Sequence, residues 1–272
     1  MPSAYINLSL NANKFLQPQW PDSSHRNQIS HVPSHQEKER TLQPLRLQGF
    51  LDRLTYFEEW GIGGTWLQPG IMPVDYKAAH KRVYALTKKR PDSIWGYTVL
   101  PPYWETSQYD SFIKWTVEEL GFKVLKLQPY AFCTSPLTPQ SQKVFETAVK
   151  LNIPVIIHTG NGMPCALPSL AIPVAKAYPE LNIVLAHSGA GIYGAEALIA
   201  AQQCPNITLE PSLTTVMDIP SFIRKLGAEP VMFGTDIPLN ASAELGKYKA
   251  LHLTEEPYAW VHEGTARRVF RL

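Results

Sequence analysis

Short apolar runs alternate with amphipathic stretches of helical length along this chain of 272 residues. The clearest runs are Ile153–His158, Asn182–His187 and Pro230–Thr235, which are rich in β-branched and apolar residues and are bounded by Gly or Pro. Such runs are typical of strands that are buried on both faces of a parallel sheet. Residues at helical spacing lie between them, so the order of elements predicts parallel pairing through helical connections.

The same alternation extends over the whole chain. The predicted strands are Ala4–Leu10, Gly64–Gln68, Ile94–Leu100, Phe122–Gln128, Ile153–His158, Asn182–His187, Asn206–Glu210 and Pro230–Thr235. The predicted helices are Leu42–Trp60, Asp75–Lys89, Gln108–Leu120, a helix capped by Thr138, Leu167–Tyr178, Ile192–Gln203, Ile219–Leu226 and Glu255–Phe270. This order predicts an α/β fold, a single (β/α)8 TIM-like barrel domain over residues 1–272. The polar stretch Gln17–Arg40 has no periodicity and predicts a long, mobile loop after strand one.

Composition excludes several function classes. The net charge is +2 and the Lys and Arg residues are scattered, so nothing indicates nucleic acid or an acidic membrane surface as a partner. No apolar run approaches the ~20 residues of a membrane span, and the first residues lack the features of a signal peptide. Cys133, Cys165 and Cys204 are odd in number and lack CxxC spacing, which is typical of a reduced cytoplasmic protein. We expect a cytoplasmic protein with a small-molecule substrate, and a homo-oligomer is left open.

Three of the predicted strands end on residues that can do chemistry. His158, His187 and Asp236 stand at the carboxyl ends of predicted strands five, six and eight. Active sites of parallel α/β folds gather at these ends, so the three side chains should meet in one cleft. Imidazole and carboxylate are the usual ligands of a hydrolytic divalent metal. The same residues could instead orient and deprotonate a water molecule without a metal.

Several segments of the chain resemble the amidohydrolase superfamily, in its amidohydrolase-related, decarboxylase-like branch. The segments that carry the resemblance are Gly121–Pro129, Pro154–Gly160, Val184–Gly191, Phe233–Pro238 and Gly264–Phe270. The resemblance implies a metal-dependent hydrolase or a decarboxylase in which His158 is a metal ligand and His187 polarises the substrate or moves a proton. Asp236 would bind the metal and act as general base toward the attacking water.

The first predicted strand departs from the family pattern. The family carries Asp-x-His-x-His there, with both histidines as metal ligands, whereas this chain has Asn7, Ser9 and Asn11. Neutral hydroxyl and amide oxygens are poorer zinc ligands than imidazole. We therefore expect His158 and Asp236 to hold zinc weakly or not at all, and Asn7, Ser9 and Asn11 to line the substrate site. The candidates for a further ligand are His25, His31, His35 and Glu210.

Other strand ends supply a lysine, a glutamate and aromatic rings. Lys126 fits either a contact to a substrate carboxylate or a structural role, and Glu210 is expected to line the site. In some superfamily members a lysine here is carboxylated and bridges two metals, which does not suit a strand one without ligands. The aromatic residues at the same ends predict either a flat apolar pocket or a covered barrel rim; they are Trp66, Tyr103, Trp104 and Tyr130. We place Trp66 and Tyr130 in the substrate site.

Two function classes follow from these observations. The first is an enzyme that hydrolyses or decarboxylates a small, carboxylate-bearing cyclic compound, with Asp236 as general base and weak or no metal dependence. The second is a degenerate, non-catalytic barrel that binds a small molecule or a protein partner. The presence of His158, His187 and Asp236 favours the enzyme, because packing alone does not require three polar strand ends. The missing first-strand histidines favour the binding protein.

Overall fold

The computed structural model of the chain describes residues 10–11 and 60–272, where strands and helices alternate as predicted. The strands are β1 (Leu10–Asn11), β2 (Thr65–Gln68), β3 (Ile94–Gly96), β4 (Thr98–Val99), β5 (Leu125–Leu127), β6 (Val155–His158), β7 (Ile183–Ala186) and β8 (Ile207–Glu210). The helices are α1 (Tyr76–Lys89), α2 (Thr106–Glu118), α3 (Pro129–Phe132), α4 (Pro139–Leu151), α5 (Ala171–Ala177), α6 (Gly194–Gln203), α7 (Asp218–Leu226), α8 (Ala241–Ala250), α9 (Glu255–Ala259) and α10 (Thr265–Phe270).

Several predictions fall on other parts of the chain. Most of the predicted strand Ala4–Leu10, the loop Gln17–Arg40 and nearly all of the helix Leu42–Trp60 lie outside the described residues. The predicted site residues Asn7 and Ser9 lie there as well, and Asn11 is described only through its place in β1. Their part in the site stays a prediction.

All the described strands pair in parallel. The pairing order is β1-β2-β3 in one sheet and β4-β5-β6-β7-β8 in the other. The predicted strand Ile94–Leu100 is divided into β3 and β4 because it changes partner at Tyr97. The amide of Tyr97 donates to the Leu67 carbonyl on β2 at 3.2 Å, whereas the next amide, that of Thr98, donates to Val124 beside β5 at 2.9 Å. The two sheets are therefore joined through one continuous stretch of backbone.

The predicted eighth strand, Pro230–Thr235, is regular over only one residue. It lies beside β8, as predicted, through a bridge between Leu209 and Val231. Beyond the bridge no further ladder pair with β8 forms among the described residues, so the prediction of a strand is wrong there. The amide of Met232 still donates to Leu209 at 2.8 Å, and the next amide, that of Phe233, points to the other side and donates to the carbonyl of Val261 at 2.9 Å. Val261 belongs to a π-helical turn, Trp260–Gly264, that joins α9 and α10.

Alternate residues of each strand enter two separate apolar layers. Residues such as Leu127, Ile157 and Leu185 share a register and pack outward into the large cluster beneath the helices. Their neighbours Ile156 and Val184 belong to a smaller cluster on the inner face. Both faces of the strands are buried, as expected for a parallel sheet that curves around its own interior. The fold is of the (β/α)8 barrel class, as predicted.

The helices begin where side chains can satisfy their first amides. Asp75 accepts from the Ala78 amide at 2.9 Å, and Thr138 caps α4 with Pro139 at the first helical position, as predicted. Residues 168–170 form a 3-10 turn, so α5 begins later than the predicted Leu167. Helix α8 was missed because its sequence has little apolar periodicity and contains Gly246. No helix in the described part of the chain is long and apolar enough to cross a membrane.

Candidate active site

The carboxyl ends of adjacent strands bring the predicted catalytic residues together. His158 ends β6, and its register partner Ala186 directly precedes His187. The two imidazole rings are 4.8 Å apart, and Nε2 of His187 is 3.9 Å from a carboxylate oxygen of Asp236. His158 and His187 are nearly fully buried, whereas Asp236 retains 18% exposure of its side chain. The three side chains share one site, and their roles stay predictions.

The backbone at this site is held in conformations that ordinary residues avoid. His187, Ser188 and Asp236 have φ angles of +66°, +40° and +60°. Non-glycine residues in this left-handed region carry strain that the surrounding structure must hold, and such residues cluster at functional sites. Gly160, after β6, approaches the next loop so closely that a Cβ would lie 2.7 Å from the backbone of Gly189. The loops after β6 and β7 are thereby packed against each other.

Glu210 anchors the site from the end of β8. Its side chain is completely buried, and its carboxylate accepts hydrogen bonds from the His187 amide at 3.1 Å and from the Ser212 amide at 2.9 Å. The Ser212 hydroxyl donates to the same carboxylate at 3.0 Å. Burial is the largest effect on this group and raises the pKa of Glu210 to about 7, although these hydrogen bonds act in the opposite direction. Glu210 therefore titrates near neutral pH.

Ser212 determines which ring nitrogen of His187 carries the proton. The hydroxyl oxygen of Ser212 lies 2.8 Å from Nδ1 of His187, and the hydroxyl group donates a hydrogen bond to the carboxylate of Glu210. When Glu210 is ionised, Nδ1 is the donor in the contact with Ser212, so Nε2 of the neutral ring carries the lone pair. That nitrogen is the one nearest to Asp236. His187 is arranged to accept a proton on the side where a carboxylate can stabilise the resulting charge.

Helix α8 holds the loop that carries Ser212. A carboxylate oxygen of Glu244 accepts from the Leu213 amide at 3.0 Å. The ammonium of Lys247 donates to the Thr214 carbonyl at 3.0 Å and pairs with Glu244 at 2.6 Å. Leu213 itself has a φ of +63°. These bonds fix a loop whose backbone would otherwise favour another conformation.

Lys126 points from β5 into the barrel interior. Its side chain is 2% exposed, and its Nζ has no hydrogen-bond partner among the described residues. Burial lowers the pKa of Lys126 to about 8, and the negative charges of Glu210 and Asp236 partly oppose this change. A buried cation without a hydrogen bond is unfavourable. The described residues therefore leave the N–H donors of Lys126 unused.

A layer of amides lies at the same ends of β2 and β5. Gln68 accepts from the hydroxyl of Tyr97 at 3.2 Å and from the amide of Gln128 at 3.0 Å. The amide oxygen of Gln128 is buried and has no partner among the described residues. Sequence reasoning missed these three residues and Ser212, although Gln68 and Gln128 stand at strand ends just as the histidines do.

The predicted aromatic residues separate into two groups. The ring of Tyr130 lies 5.8 Å from that of His158 and is half-exposed at the site. Trp66 is 3% exposed and packs on Trp95 and Phe270, with ring centroids 5.6 Å and 4.7 Å away. It stands two residues before the strand end, so its inward side chain lies one layer deeper than the site. The structure does not bring Trp66 to the other predicted residues.

Of the two remaining aromatic residues at the strand ends, Trp104 also lies away from the other predicted site residues. Trp104 packs on Tyr76 and Phe112 beside the large outer cluster. Tyr103 is exposed and meets Phe132 edge-on at 6.2 Å. Of the four rings, the structure places Tyr130 against a predicted catalytic residue.

The described residues do not by themselves fit a metal centre of the family type. No group of three His, Cys, Asp or Glu side chains among them could hold a metal ion. His158 and Asp236 would supply two ligands, and stable catalytic zinc sites usually have three from the protein. An amide nitrogen of Asn161 also lies 3.2 Å from Nε2 of His158. We assign no chemical step to a metal.

Comparisons with known proteins agree with the fold. A family model described as "Amidohydrolase" matches residues 31–272. No curated protein sequence matches the chain. Three of the many similar solved structures illustrate this. The 2,6-dihydroxybenzoate decarboxylase from Rhizobium is 19% identical, with a TM-score of 0.60, 80% of this chain and 87% of that chain covered.

The other two structures are similar over comparable lengths. The 4-oxalomesaconate hydratase from Rhodopseudomonas palustris is 18% identical, with a TM-score of 0.67 and 98% and 95% coverage. The 5-carboxyvanillate decarboxylase from Novosphingobium aromaticivorans is 17% identical, with a TM-score of 0.64 and 81% and 80% coverage. That decarboxylase was crystallised with manganese and 4-hydroxy-3-methoxy-5-nitrobenzoic acid.

Proposed function

Because the chain belongs to the amidohydrolase family, we propose that this amidohydrolase-related enzyme decarboxylates a small aromatic carboxylate. The observation that carries the proposal is the buried ammonium of Lys126, which has no hydrogen-bond partner among the described residues. The ammonium group lies within electrostatic reach of Glu210 and Asp236, whose negative charges oppose the effect of burial on its pKa. A substrate carboxylate would supply the missing partner of Lys126.

Neighbouring groups suit the rest of such a substrate. Gln128 directly follows β5, two residues after Lys126, and its unpartnered amide oxygen would accept from a ring hydroxyl beside the carboxylate. The half-exposed ring of Tyr130, next to His158, offers an aromatic wall. A cation, an acceptor and an aromatic ring together favour a planar hydroxylated acid over an aliphatic one.

His187 and Asp236 would move the proton that replaces the carboxylate. In the proposed step, the pair adds a proton to the ring carbon that bears the carboxylate. The bond to the carboxylate carbon then breaks, its electron pair restores the aromatic ring, and carbon dioxide leaves. Ser212 holds Nδ1 of His187, so Nε2 is the nitrogen that carries the moving proton. The carboxylate of Asp236, 3.9 Å from Nε2, would stabilise the imidazole ring of His187 in its protonated form.

The names of two similar structures support this substrate class. Both are decarboxylases named for aromatic carboxylates. The manganese of one of them is not carried over, because His158 and Asp236 lack a third ligand among the described residues. Hydrolysis would use the same cluster, with Asp236 taking a proton from water as general base. The assay described next separates the two reactions by their products.

The experiment is a panel assay on the full-length protein. Hydroxybenzoates, alicyclic carboxylates, lactones and amides are incubated with wild type, Lys126→Met and Lys150→Met, and carbon dioxide and ring products are both measured. Lys150 is an exposed residue of α4 and provides the matched control. We expect carbon dioxide from a hydroxybenzoate with wild type and the control, and a KM at least about tenfold higher with Lys126→Met, since a hydrogen bond to a charged group contributes about 1.5–3 kcal/mol.

Other outcomes would contradict the proposal. Ring opening or amide cleavage without carbon dioxide would show a hydrolase. Saturable binding of a hydroxybenzoate without any product would favour the non-catalytic barrel. Equal KM values for Lys126→Met and Lys150→Met would remove Lys126 from the substrate site.

A further inference from the structure

Two of the three cysteines contact the same short helix at the carboxyl end of the barrel. The thiol of Cys165, which lies in the 3-10 turn Pro164–Ala166 after β6, donates to the carbonyl oxygen of Pro129 at 3.4 Å. The same oxygen accepts from the backbone amide of Cys133, the residue at which α3 ends. Because both bonds reach one atom, the sulfur of Cys165 lies within about 7 Å of the backbone nitrogen of Cys133.

The two sulfur atoms lie on neighbouring carbonyls of α3. Sγ of Cys133 is 4.0 Å from the carbonyl oxygen of Tyr130, which follows Pro129 in the chain. Burial is the largest effect on Cys165 and raises the pKa of its thiol, and the nearby thiol of Cys133 raises this pKa further. Both cysteines are free thiols in the structure. Disulfides join cysteines whose Cα atoms are about 4.4–6.8 Å apart, so a bond between these two requires only a local rearrangement.

The exposure of the two thiols suits stepwise oxidation. Cys133 is exposed, with a backbone φ of +47°, whereas Cys165 is partly buried. An oxidant in solvent therefore meets Cys133 first, and Cys165 is the neighbouring thiol that can attack the oxidised sulfur. Cys204 is in a different environment, because it is buried in the large outer cluster and donates to the carbonyl of Ile172 at 3.8 Å.

The two cysteines belong to the loops on either side of His158. Helix α3 carries Tyr130, whose ring lies 5.8 Å from that of His158. The loop after β6 carries Asn161, whose amide nitrogen is 3.2 Å from Nε2 of His158. A covalent bond between Cys133 and Cys165 would therefore join both of these loops beside the candidate active site.

We propose that Cys133 and Cys165 form a reversible disulfide under oxidation, which links the loops after β5 and β6. With hydrogen peroxide as the oxidant, the thiolate of Cys133 attacks one peroxide oxygen, the O–O bond breaks, and the leaving hydroxide becomes water. The thiol of Cys165 then loses its proton and attacks the sulfur of the resulting sulfenic acid, and the S–S bond forms as a second water leaves. In total the two thiols lose two electrons and two protons, and the peroxide is reduced to two waters. The bond can be measured without a substrate, so the inference does not rest on the proposed function.

The test is oxidation of the full-length protein with hydrogen peroxide, followed by blocking of free thiols with iodoacetamide and tryptic digestion without reductant. Wild type is compared with Cys133→Ser, Cys165→Ser and the matched control Cys204→Ser. The three cysteines lie in separate tryptic peptides, 127–143, 151–176 and 177–224, so a disulfide joins two peptides that mass spectrometry identifies. Hydrogen exchange of the backbone amides in the two loops is measured on the oxidised protein before and after reduction with dithiothreitol.

We expect peroxide to join the peptides of Cys133 and Cys165 in wild type and in Cys204→Ser, with a mass two hydrogens below their sum. Dithiothreitol should separate them again. Neither Cys133→Ser nor Cys165→Ser should give this product, and Cys165→Ser should leave Cys133 as a sulfenic acid that dimedone traps. Amide exchange in residues 129–134 and 159–166 should be slower in oxidised than in reduced wild type, and equal in both states of Cys133→Ser.

Other products would overturn the inference. They are separate peptides after oxidation of wild type, a disulfide between two copies of the chain, and a disulfide to Cys204 as the main product. Unchanged amide exchange in both loops of the oxidised protein would contradict the claim that the bond holds these loops together.

Discussion

The two ends of the barrel interior are built from the same strands but from opposite chemistry. At the amino-terminal end, Trp66, Trp95 and Phe270 pack ring against ring. At the carboxyl end, charged and polar groups are buried with left-handed backbone at His187 and Asp236. The first arrangement stabilises the fold through burial of apolar area. The second costs stability and is retained where function requires it.

The comparison also separates two residues that look alike in the sequence. Trp66 and Tyr130 are both aromatic residues in or just after predicted strands. Trp66 stands two residues before the end of β2 and is buried in packing, whereas Tyr130 follows the end of β5 and is half-exposed beside His158. Substitutions at the two ends should therefore change different quantities, activity at one and stability at the other.

The largest effect is expected from Asp236→Asn. The change keeps the size of the side chain but removes the charge that lies 3.9 Å from His187. Turnover of an identified substrate should fall by ~10²–10⁴-fold, the usual contribution of a general acid or base. The melting temperature serves as the folding control and should stay the same or rise. A variant that turns over as fast as wild type would place the chemistry elsewhere.

At the opposite end, Trp66→Ala should change stability instead of chemistry. Removing a fully buried tryptophan typically lowers the free energy of unfolding by about 3–5 kcal/mol. The kcat of the folded fraction should be unchanged, measured below the melting transition. Tyr130→Ala is the matched variant and should show the reverse, a small loss of stability with a raised KM. If Trp66→Ala raised KM and left stability alone, the distinction between the two ends would fail.

Lys126→Met should change how stability depends on pH. The pKa of Lys126 is about 8 in the folded protein and about 10.5 as its ordinary value. Between these values the unfolded chain binds more protons, so the lysine makes stability rise with pH across this range. Denaturant unfolding at a series of pH values should show this rise in wild type and a flatter profile in Lys126→Met. The variant should also be the more stable protein near pH 7. Identical profiles would mean that Lys126 is solvated or paired when folded.

A smaller effect is expected from Ser212→Ala. The substitution removes the hydroxyl that bridges Nδ1 of His187 and the carboxylate of Glu210. The kcat should fall roughly tenfold, in line with the loss of about 1–3 kcal/mol for an unsatisfied buried group. Its pH dependence should shift, because the pKa of Glu210 rises further without the hydrogen bond from Ser212. Ser212→Thr keeps the hydroxyl and should restore most of the activity. An unchanged pH profile in Ser212→Ala would leave Ser212 a merely structural residue.

Much of the fold followed from local patterns in the sequence. Buried parallel strands appear in a sequence as apolar runs, so the positions of β5 to β8 and of their connecting helices were predicted closely. The eighth strand was not, because regular pairing depends on how the segment lies against β8, and an apolar run such as Pro230–Thr235 does not show that it pairs through a single bridge at Val231. Helix α8 lacks the apolar periodicity on which the prediction depended.

The sequence could predict site residues only where the end of a strand could be located. Side chains along a strand alternate between its two faces, so His158 and Glu210 can be placed on the inner face once the strands are known. Depth along the strand is a tertiary property, which the local pattern does not show. Trp66, expected in the substrate site, packs on Trp95 one layer deeper than His158. The bridge from His187 through Ser212 to Glu210 depends on the left-handed backbone at His187, which no local pattern in the sequence indicates.

The proposed decarboxylation is tested by the release of labelled carbon dioxide from 2,6-dihydroxybenzoate and related hydroxybenzoates that carry carbon-13 in the carboxylate. We expect wild type to release the label as carbon dioxide from at least one of these acids, with the unlabelled ring recovered carrying hydrogen in place of the carboxylate. Asp236→Asn should release at least about a hundredfold less. Label that stays on the ring with wild type for every acid tested would contradict the assignment of this barrel as a decarboxylase.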